Sequence, residues 1–390
     1  MDKYSILDQD LYKMTMQLAT IQLFPNLFVR YKFINRGKTI WPKGMAERLR
    51  ERLIRYSEES ILTDGEKDYL RTIRFITPFY IWCLSNYRFD PSEINVTDNI
   101  DDTTVEGYWW RTILWECVFL SMLSELYYEM TGQKLPDRNV LTKINMTKGY
   151  DFYRNDINFV EAGFRRRFSF DNQDNVIYDL KKSAQNRLIG TSNVYFAKKY
   201  NLKAIGTKAH EWYMAHSAMF GFHEANRKSL ENWIKVYNGD LGVALPDTFT
   251  SKAFFSIFDT YFAKLFDGLR QDSGNPIEFG NMALDVYKKV ISNDNIIKSK
   301  TIIFSDNLNS IEKILSIQKE FLEKILTSYM IGTWLTNDIP GISPLNIVMK
   351  LSHVFFNGMW IPVVKLGDGV GKETGDPNQI DLAKRALNLQ

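Results

Sequence analysis

The residues of this chain best suited to chemistry are Gly206-Thr207-Lys208-Ala209-His210-Glu211-Trp212, placed after a short apolar run ending in Ala204-Ile205 and before a helical pattern. A glycine lets backbone approach a ligand, a hydroxyl and the free amides of a helix start donate to anionic oxygens, and an imidazole passes a proton or a phosphoryl group near neutral pH. Together they suit phosphate chemistry. A buried histidine at the start of a core helix explains the same seven residues, so the rest of the chain must decide.

Several other polar clusters also follow apolar runs. Ile157 to Val160 leads into Glu161-Ala162-Gly163-Phe164 and then Arg165, Arg166 and Arg167. On an extended segment alternate residues share a side, which points Arg165 and Arg167 the same way. A guanidinium binds carboxylate or phosphate through paired hydrogen bonds, and Gly163 suggests close backbone approach to a flat ligand. Phe266 to Leu269 leads into Arg270, Asp272, Ser273 and Gly274, with Arg270 and Asp272 leaving one face. Arg270 suits an anion, and Asp272 suits ribose hydroxyls or a hydrated magnesium ion. Asp306 ends the run Ile302 to Phe304 in the same way. Gly332-Thr333 and Gly190-Thr191-Ser192-Asn193 read as phosphate-cradling turns.

Two tempting motifs fail on spacing. Lys365 to Lys372 lacks the Gly-x4-Gly-Lys-Ser/Thr pattern of a phosphate-binding loop, and no Ser or Thr follows Lys372. His216 lies six residues after His210, about 240° round a helix, so the two do not form a zinc pair; His216, His223 and His353 are expected to be structural or surface histidines.

The elements that must position these residues follow from pattern. Leu11, Met14, Leu18 and Ile21 recur at helical spacing behind Asp8 or Asp10 as a cap, with Tyr12 and Lys13 beside the apolar stripe. Leu27 to Asn35 alternates as a half-buried strand. From Ala46 to about Met130 the pattern is helical and aromatic-rich, with Asn95 to Thr104 as a solvated loop. After about residue 150 short apolar runs at 157–160, 204–205, 266–269, 302–304, 329–331, 347–351 and 363–366 alternate with helical runs at 193–200, 212–230, 276–291 and 310–326. That alternation predicts an α/β barrel, whose active face is built from the loops after its strands.

The chain has 390 residues, 45% hydrophobic and 24% charged, with a net charge of +3 spread along its length. Length and composition predict two or three globular domains. Unblocked charge argues against nucleic acid or a membrane surface as partner. The two cysteines, Cys83 and Cys117, indicate neither a disulfide framework nor a thiolate metal site. With no leader-like N-terminus and no apolar run of about 18 residues, a reduced cytoplasmic protein is expected.

Taken together, Asp8 to Met16, Gly163 to Ser169, Gly190 to Val194, Gly206 to Trp212, Asp247-Thr248-Phe249, Phe266 to Pro276, Phe304 to Asp306, Gly332 to Asp338 and Val364 to Lys372 resemble nicotinate phosphoribosyltransferase over nearly the full length. The resemblance implies a type II phosphoribosyltransferase fold: an N-terminal α/β domain over 1–150, completed by about 350–390, and an irregular α/β barrel over 151–350. It implies that nicotinate is joined to phosphoribosyl pyrophosphate in NAD salvage, with ATP as co-substrate, Mg2+, and a phosphohistidine at His210. It further implies that Tyr12 stacks on the pyridine, that Thr207 and Arg270 contact nicotinate, and that Gly332-Thr333 hold the ribose phosphate. Arg165 would lie beside ring and phosphates, and Asp272 by the ribose and magnesium pyrophosphate. Members are often homodimers, with the tyrosine entering the neighbour's site. Ala162 departs from the family's usual aromatic, so Phe164 or another side chain must supply the second stacking face. A nicotinamide-specific relative shares Asp-Ser-Gly-Asn-Pro and the histidine but differs in the arginine segment; a non-catalytic nucleotide-binding homologue is the other alternative.

Overall fold

The structure is a computed structural model that describes residues 4–369 and 371–389. Among the described residues the strands are β1 (Phe28–Asn35), β2 (Ile94–Asn95), β3 (Thr104–Tyr108), β4 (Phe159–Glu161), β5 (Leu188–Thr191), β6 (Lys203–Ala204), β7 (Val243–Ala244), β8 (Gly268–Gln271), β9 (Thr301–Phe304), β10 (Leu326–Ile331), β11 (Ile347–Phe356) and β12 (Met359–Pro362). They form a five-stranded sheet in the order β12-β11-β1-β3-β2 and a seven-stranded sheet in the order β6-β5-β4-β10-β9-β8-β7. The pairs β5–β6, β7–β8, β8–β9 and β9–β10 are parallel. The expected α/β class therefore holds.

Contacts divide the chain into two compact units, one of Met1–Arg154, Val160–Gly206 and Ile331–Lys350, the other of Asn155–Phe159, Thr207–Met330 and Leu351–Gln390. In the first, Val29, Tyr31 and Phe33 of β1 turn inward, as their alternation requires. The helix Leu11–Leu23 sets Lys13 Nζ 5.5 Å from the Tyr31 ring centroid and is buried on more than its apolar stripe: Lys13, Thr15, Gln17 and Thr20 are covered too. Asp10 stands at its N-cap position but makes no capping bond, because its carboxylate accepts from Ser192 Oγ at 2.5 Å instead. β3, inside the stretch expected to be helical and loop, pairs antiparallel with β1 through Val29↔Gly107 and Tyr31↔Val105. A five-residue strand containing a glycine carries too weak an alternation to stand out from flanking helices.

In the second unit, Phe304 of β9 stacks between Phe321 and Tyr329 at 5.7 and 6.0 Å. All three are buried, and each such side chain contributes about 2–3 kcal/mol on leaving water. The expected helix 212–230 is longer, His210–Tyr237, and is broken at Gly221, whose φ of +76° leaves the helical region. The expected strand 363–366 is absent as such. β12 precedes it, and Lys365 makes only an isolated bridge to Thr374. β5 and β7 were not expected, being four and two residues long.

Candidate active site

In the second unit, parallel registration brings strand ends together. β8 and β9 align Gln271 with Phe304, which sets the following residues side by side. Ser305 Oγ then donates to Asp272 Oδ1 at 2.8 Å. β7 runs into the turn Pro246–Phe249, which presents Asp247 and Thr248. His210 opens its helix within this group. Its Nδ1 lies 2.9 Å from Thr248 Oγ1, and its Nε2 lies 2.8 Å from Asp272 Oδ2 and 2.8 Å from Lys365 Nζ. A single nitrogen cannot both donate to the carboxylate and accept from the ammonium, so the tautomer of His210 is set by whichever partner prevails.

The electrostatics favour a neutral imidazole. Burial, reinforced by the Lys365 ammonium, pushes His210 down to about 4, against the opposing pull of Asp247 and Asp272. Burial alone would raise Asp272, but Arg270, His210 and Lys365 together hold it well below the usual carboxylate range. Asp247 is 1% exposed. Its Oδ2 accepts from Ser273 Oγ at 2.5 Å and lies 3.2 Å from Lys365 Nζ. Its Oδ1, 3.9 Å from His210 Nε2, has no hydrogen-bond partner among the described residues.

Arg270 and Asp272 leave one face, as expected, with Nη2 3.8 Å from Oδ2. The Arg270 Nε is buried without a hydrogen-bond partner among the described residues, a donor suited to an incoming anion. Thr207 Oγ1 donates to Val243 O at 3.4 Å. Lys208 is buried under the rings of Trp233 and Phe266, bonds the same carbonyl at 2.9 Å, and is held well below the ordinary lysine range by burial and by Arg270. Asp306 pairs with Lys372 at 2.9 Å. His216 is a core residue, its Nδ1 2.7 Å from Trp212 O and its ring 4.6 Å from the indole.

His210, Asp247 and Asp272 offer atoms within 4.8 Å of one another, as metal ligands do. They do not suit a resident magnesium ion, which takes oxygen ligands in an octahedron. One of the three is an imidazole, and the Lys365 ammonium already compensates the carboxylates.

The first unit holds Tyr12 and Arg165. The Arg165 guanidinium lies 5.9 Å from the Tyr12 ring centroid, 3.2 Å from Glu116 Oε1 and 3.8 Å from Asp10 Oδ2. Tyr12 Oη is 3.6 Å from Cys117 Sγ, and burial raises this phenol well above its ordinary range.

Several expectations for this unit are corrected. Phe164–Arg166 is a 3-10 turn, not an extended segment, so alternation fails. Arg167 turns away from Arg165 into the protein, where it pairs with both oxygens of Asp8 at 3.0 and 2.8 Å and with Glu125 at 2.8 Å. Phe164 is 1% exposed beneath the Arg167 guanidinium, 4.7 Å from its centroid, and offers no face for stacking. Gly163 admits Thr336, with which any Cβ would collide, and not a flat ligand. At Gly206 a Cβ would stand 2.9 Å from Tyr12 N, so that glycine seats the Tyr12 helix. The residues after Gly190 also turn inward: Thr191 to Glu161 at 2.5 Å, Ser192 to Asp10, and Asn193 to Asp8 at 2.6 Å. Gly332 precedes a single helical turn, Thr333–Thr336.

Sequence reasoning names Asp247, Thr248 and Lys365 only as parts of motifs and gives them no role, and it gives Ser273 only a place in a tight turn. The signal missed for Asp247 and Thr248 was β7, two residues long. For Lys365, a lone lysine in a stretch without phosphate-loop spacing carries no local signal of its partner.

Residues 157–390 match the model of the nicotinate phosphoribosyltransferase (NAPRTase) family, and residues 7–124 match the model of its N-terminal domain. The chain belongs to the nicotinate phosphoribosyltransferase family. It is 42% identical over 388 residues to the nicotinate phosphoribosyltransferase of Chromohalobacter salexigens, covering 99% of this chain and 98% of the relative. It superposes on the crystal structure of nicotinate phosphoribosyltransferase from Porphyromonas gingivalis with a TM-score of 0.95 at 39% identity, covering 99% of both chains. For the Vibrio cholerae nicotinate phosphoribosyltransferase structure the TM-score is 0.91 at 30% identity, covering 100% of this chain and 94% of the other. All of the His210 group and Arg165 fall in the 157–390 match to the nicotinate phosphoribosyltransferase family, and Asp10, Tyr12 and Glu116 fall in its N-terminal match. Among the described residues no helix is long and apolar enough to cross a membrane.

Proposed function

We propose that this chain joins nicotinate to 5-phosphoribosyl 1-pyrophosphate, giving nicotinate mononucleotide and pyrophosphate, and couples this to ATP hydrolysis through His210. The observation that carries the coupling is a buried imidazole kept neutral between a carboxylate and an ammonium. A neutral imidazole nitrogen has the lone pair needed to attack the terminal phosphorus of ATP. The N–P bond forms as the P–O bond to ADP breaks, and Lys365 and Arg270 are placed to balance the charge on the transferred group. Water later cleaves the N–P bond, releasing inorganic phosphate and restoring His210.

In the glycosyl step the pyridine nitrogen bonds to C1 of the ribose as the C1–O bond to pyrophosphate breaks. Positive charge builds on the sugar, where the Asp272 carboxylate, held ionised by its neighbours, stabilises it. Arg270, whose buried Nε has no hydrogen-bond partner among the described residues, receives the nicotinate carboxylate alongside Thr207. Tyr12 supplies a stacking face and Arg165 an anion contact. Asp306 serves a ribose hydroxyl, and Gly332 and Thr333 the ribose phosphate. Magnesium enters on the polyphosphates as part of the substrate, and a cytoplasmic homodimer is the expected form.

His210→Ala tests the relay. It should abolish stimulation by ATP and label transfer from γ-32P-ATP to protein while keeping slow ATP-independent turnover; stimulation that survives intact sinks the phosphohistidine. Faster turnover of nicotinamide than of nicotinate would overturn the acid as substrate.

A further inference from the structure

Arg165 is the outermost member of a buried cluster. Its side chain is 37% exposed, whereas those of Asp10, Glu116 and Lys13 are 4%, 6% and 0% exposed. Glu116 is shared: its Oε2 lies 2.6 Å from Lys13 Nζ and its Oε1 3.2 Å from Arg165 Nη1. Lys13 also sits 5.5 Å from the centroid of the Tyr12 ring, the ring that Arg165 covers at 5.9 Å. Among these four side chains two acids face two bases, with Lys350 a further positive charge acting on Glu116, and Arg165 is the member of the four with a face toward solvent. We propose that Glu116 and Lys13 are positioning residues: Glu116 fixes the Arg165 guanidinium against Tyr12, and Lys13 takes enough of the Glu116 charge to leave Arg165 able to bind a substrate anion.

The physical case rests on the division of one carboxylate. A lone buried glutamate beside Arg165 would form a closed pair with little positive potential left over, and an arginine with no partner would sample many rotamers before binding. Sharing Glu116 with an inaccessible lysine avoids both. Burial works against the ionised form of Glu116, but Lys13, Arg165 and Lys350 keep it below its ordinary range. It therefore stays charged near neutral pH.

The inference rests on the reading of Arg165 as a substrate contact, and the test separates the two. Initial rates are measured with nicotinate and phosphoribosyl pyrophosphate varied in turn. Glu116→Gln should raise KM for one of them by about tenfold or more with kcat changed less than threefold, and whichever KM moves identifies the anion as carboxylate or phosphate. Because Glu116→Gln takes from Lys13 the carboxylate at 2.6 Å, the double variant Lys13→Met with Glu116→Gln is run beside it. That variant removes the pair together and leaves no stranded charge. It should melt within a few degrees of the parent yet show the same rise in KM. Arg165→Ala should raise the same KM, and adding Glu116→Gln to it should change nothing further. If Arg165→Ala shifts KM and the folded double variant does not, the positioning role is wrong while the contact stands. If Arg165→Ala itself leaves both KM values alone, the contact fails and the positioning role with it.

Discussion

The ammonium of Lys365 stands 2.8 Å from Nε2 of His210, although 155 residues separate them. It shares the place with the Asp272 carboxylate, so the lysine competes for the nitrogen's lone pair while the acid competes for its proton. Lys365→Met should let the imidazole bind a proton more readily, since one of the two causes depressing it disappears. The His210 titration followed by NMR should move up. ATP-coupled turnover should fall by about 10²-fold, the scale expected for losing one preorganised cation. An unmoved titration would remove Lys365 from the mechanism.

The acid limb follows from the same group. His210 titrates near 4 in the folded chain and near 6.5 when exposed. Its contribution to stability is complete above the unfolded value and is lost as pH falls from about 6.5 to about 4, because the unfolded chain binds the proton first. The loss is about 3 kcal/mol from this group at about 1.4 kcal/mol per pH unit. His216, lowered to about 3 by burial, acts in the same direction. Urea midpoints should therefore drop steeply between pH 6.5 and 4, and more shallowly in His216→Gln. ATP stimulation should persist down to about pH 5 in the part of the population that stays folded.

Arg165 and Arg167 should part company on substitution. Removing Arg167 strands Asp8 and Glu125, which it joins in the interior. Arg167→Ala should cost about 3–5 kcal/mol, read as a lowered melting temperature. Arg165→Ala should cost less than that, because its side chain is part-exposed and Glu116 keeps Lys13 beside it, and should act chiefly on substrate KM.

Gly163→Ala should destabilise by about 1–3 kcal/mol through overpacking against Thr336. Thr336→Ala in the same chain should recover part of that, despite losing the bond from its hydroxyl to Gly163 O at 2.9 Å. Failure of the second substitution to help would mean the strain lies in the backbone of the turn.

What the amino-acid sequence determined by itself was local and chemical. The period of Leu11, Met14 and Leu18 makes a helix wherever one apolar stripe must be buried, and the alternation of Val29, Tyr31 and Phe33 makes a strand. The repeated step from apolar run to polar cluster puts Arg270, Asp272 and Asp306 at strand ends. Only the tertiary structure decided which polar groups meet. β7 is two residues long, too short to leave a periodic trace, so its registration with β8 had to place Asp247 and Thr248 beside His210. Local spacing pairs Arg165 with Arg167 on one face. Their fates diverged because a 3-10 turn sent Arg167 to the acids of the interior and left Arg165 with a face toward solvent. Hydrogen bonds and ion pairs act over a few ångströms in space, and spacing along a chain carries no record of which distant segments come that close.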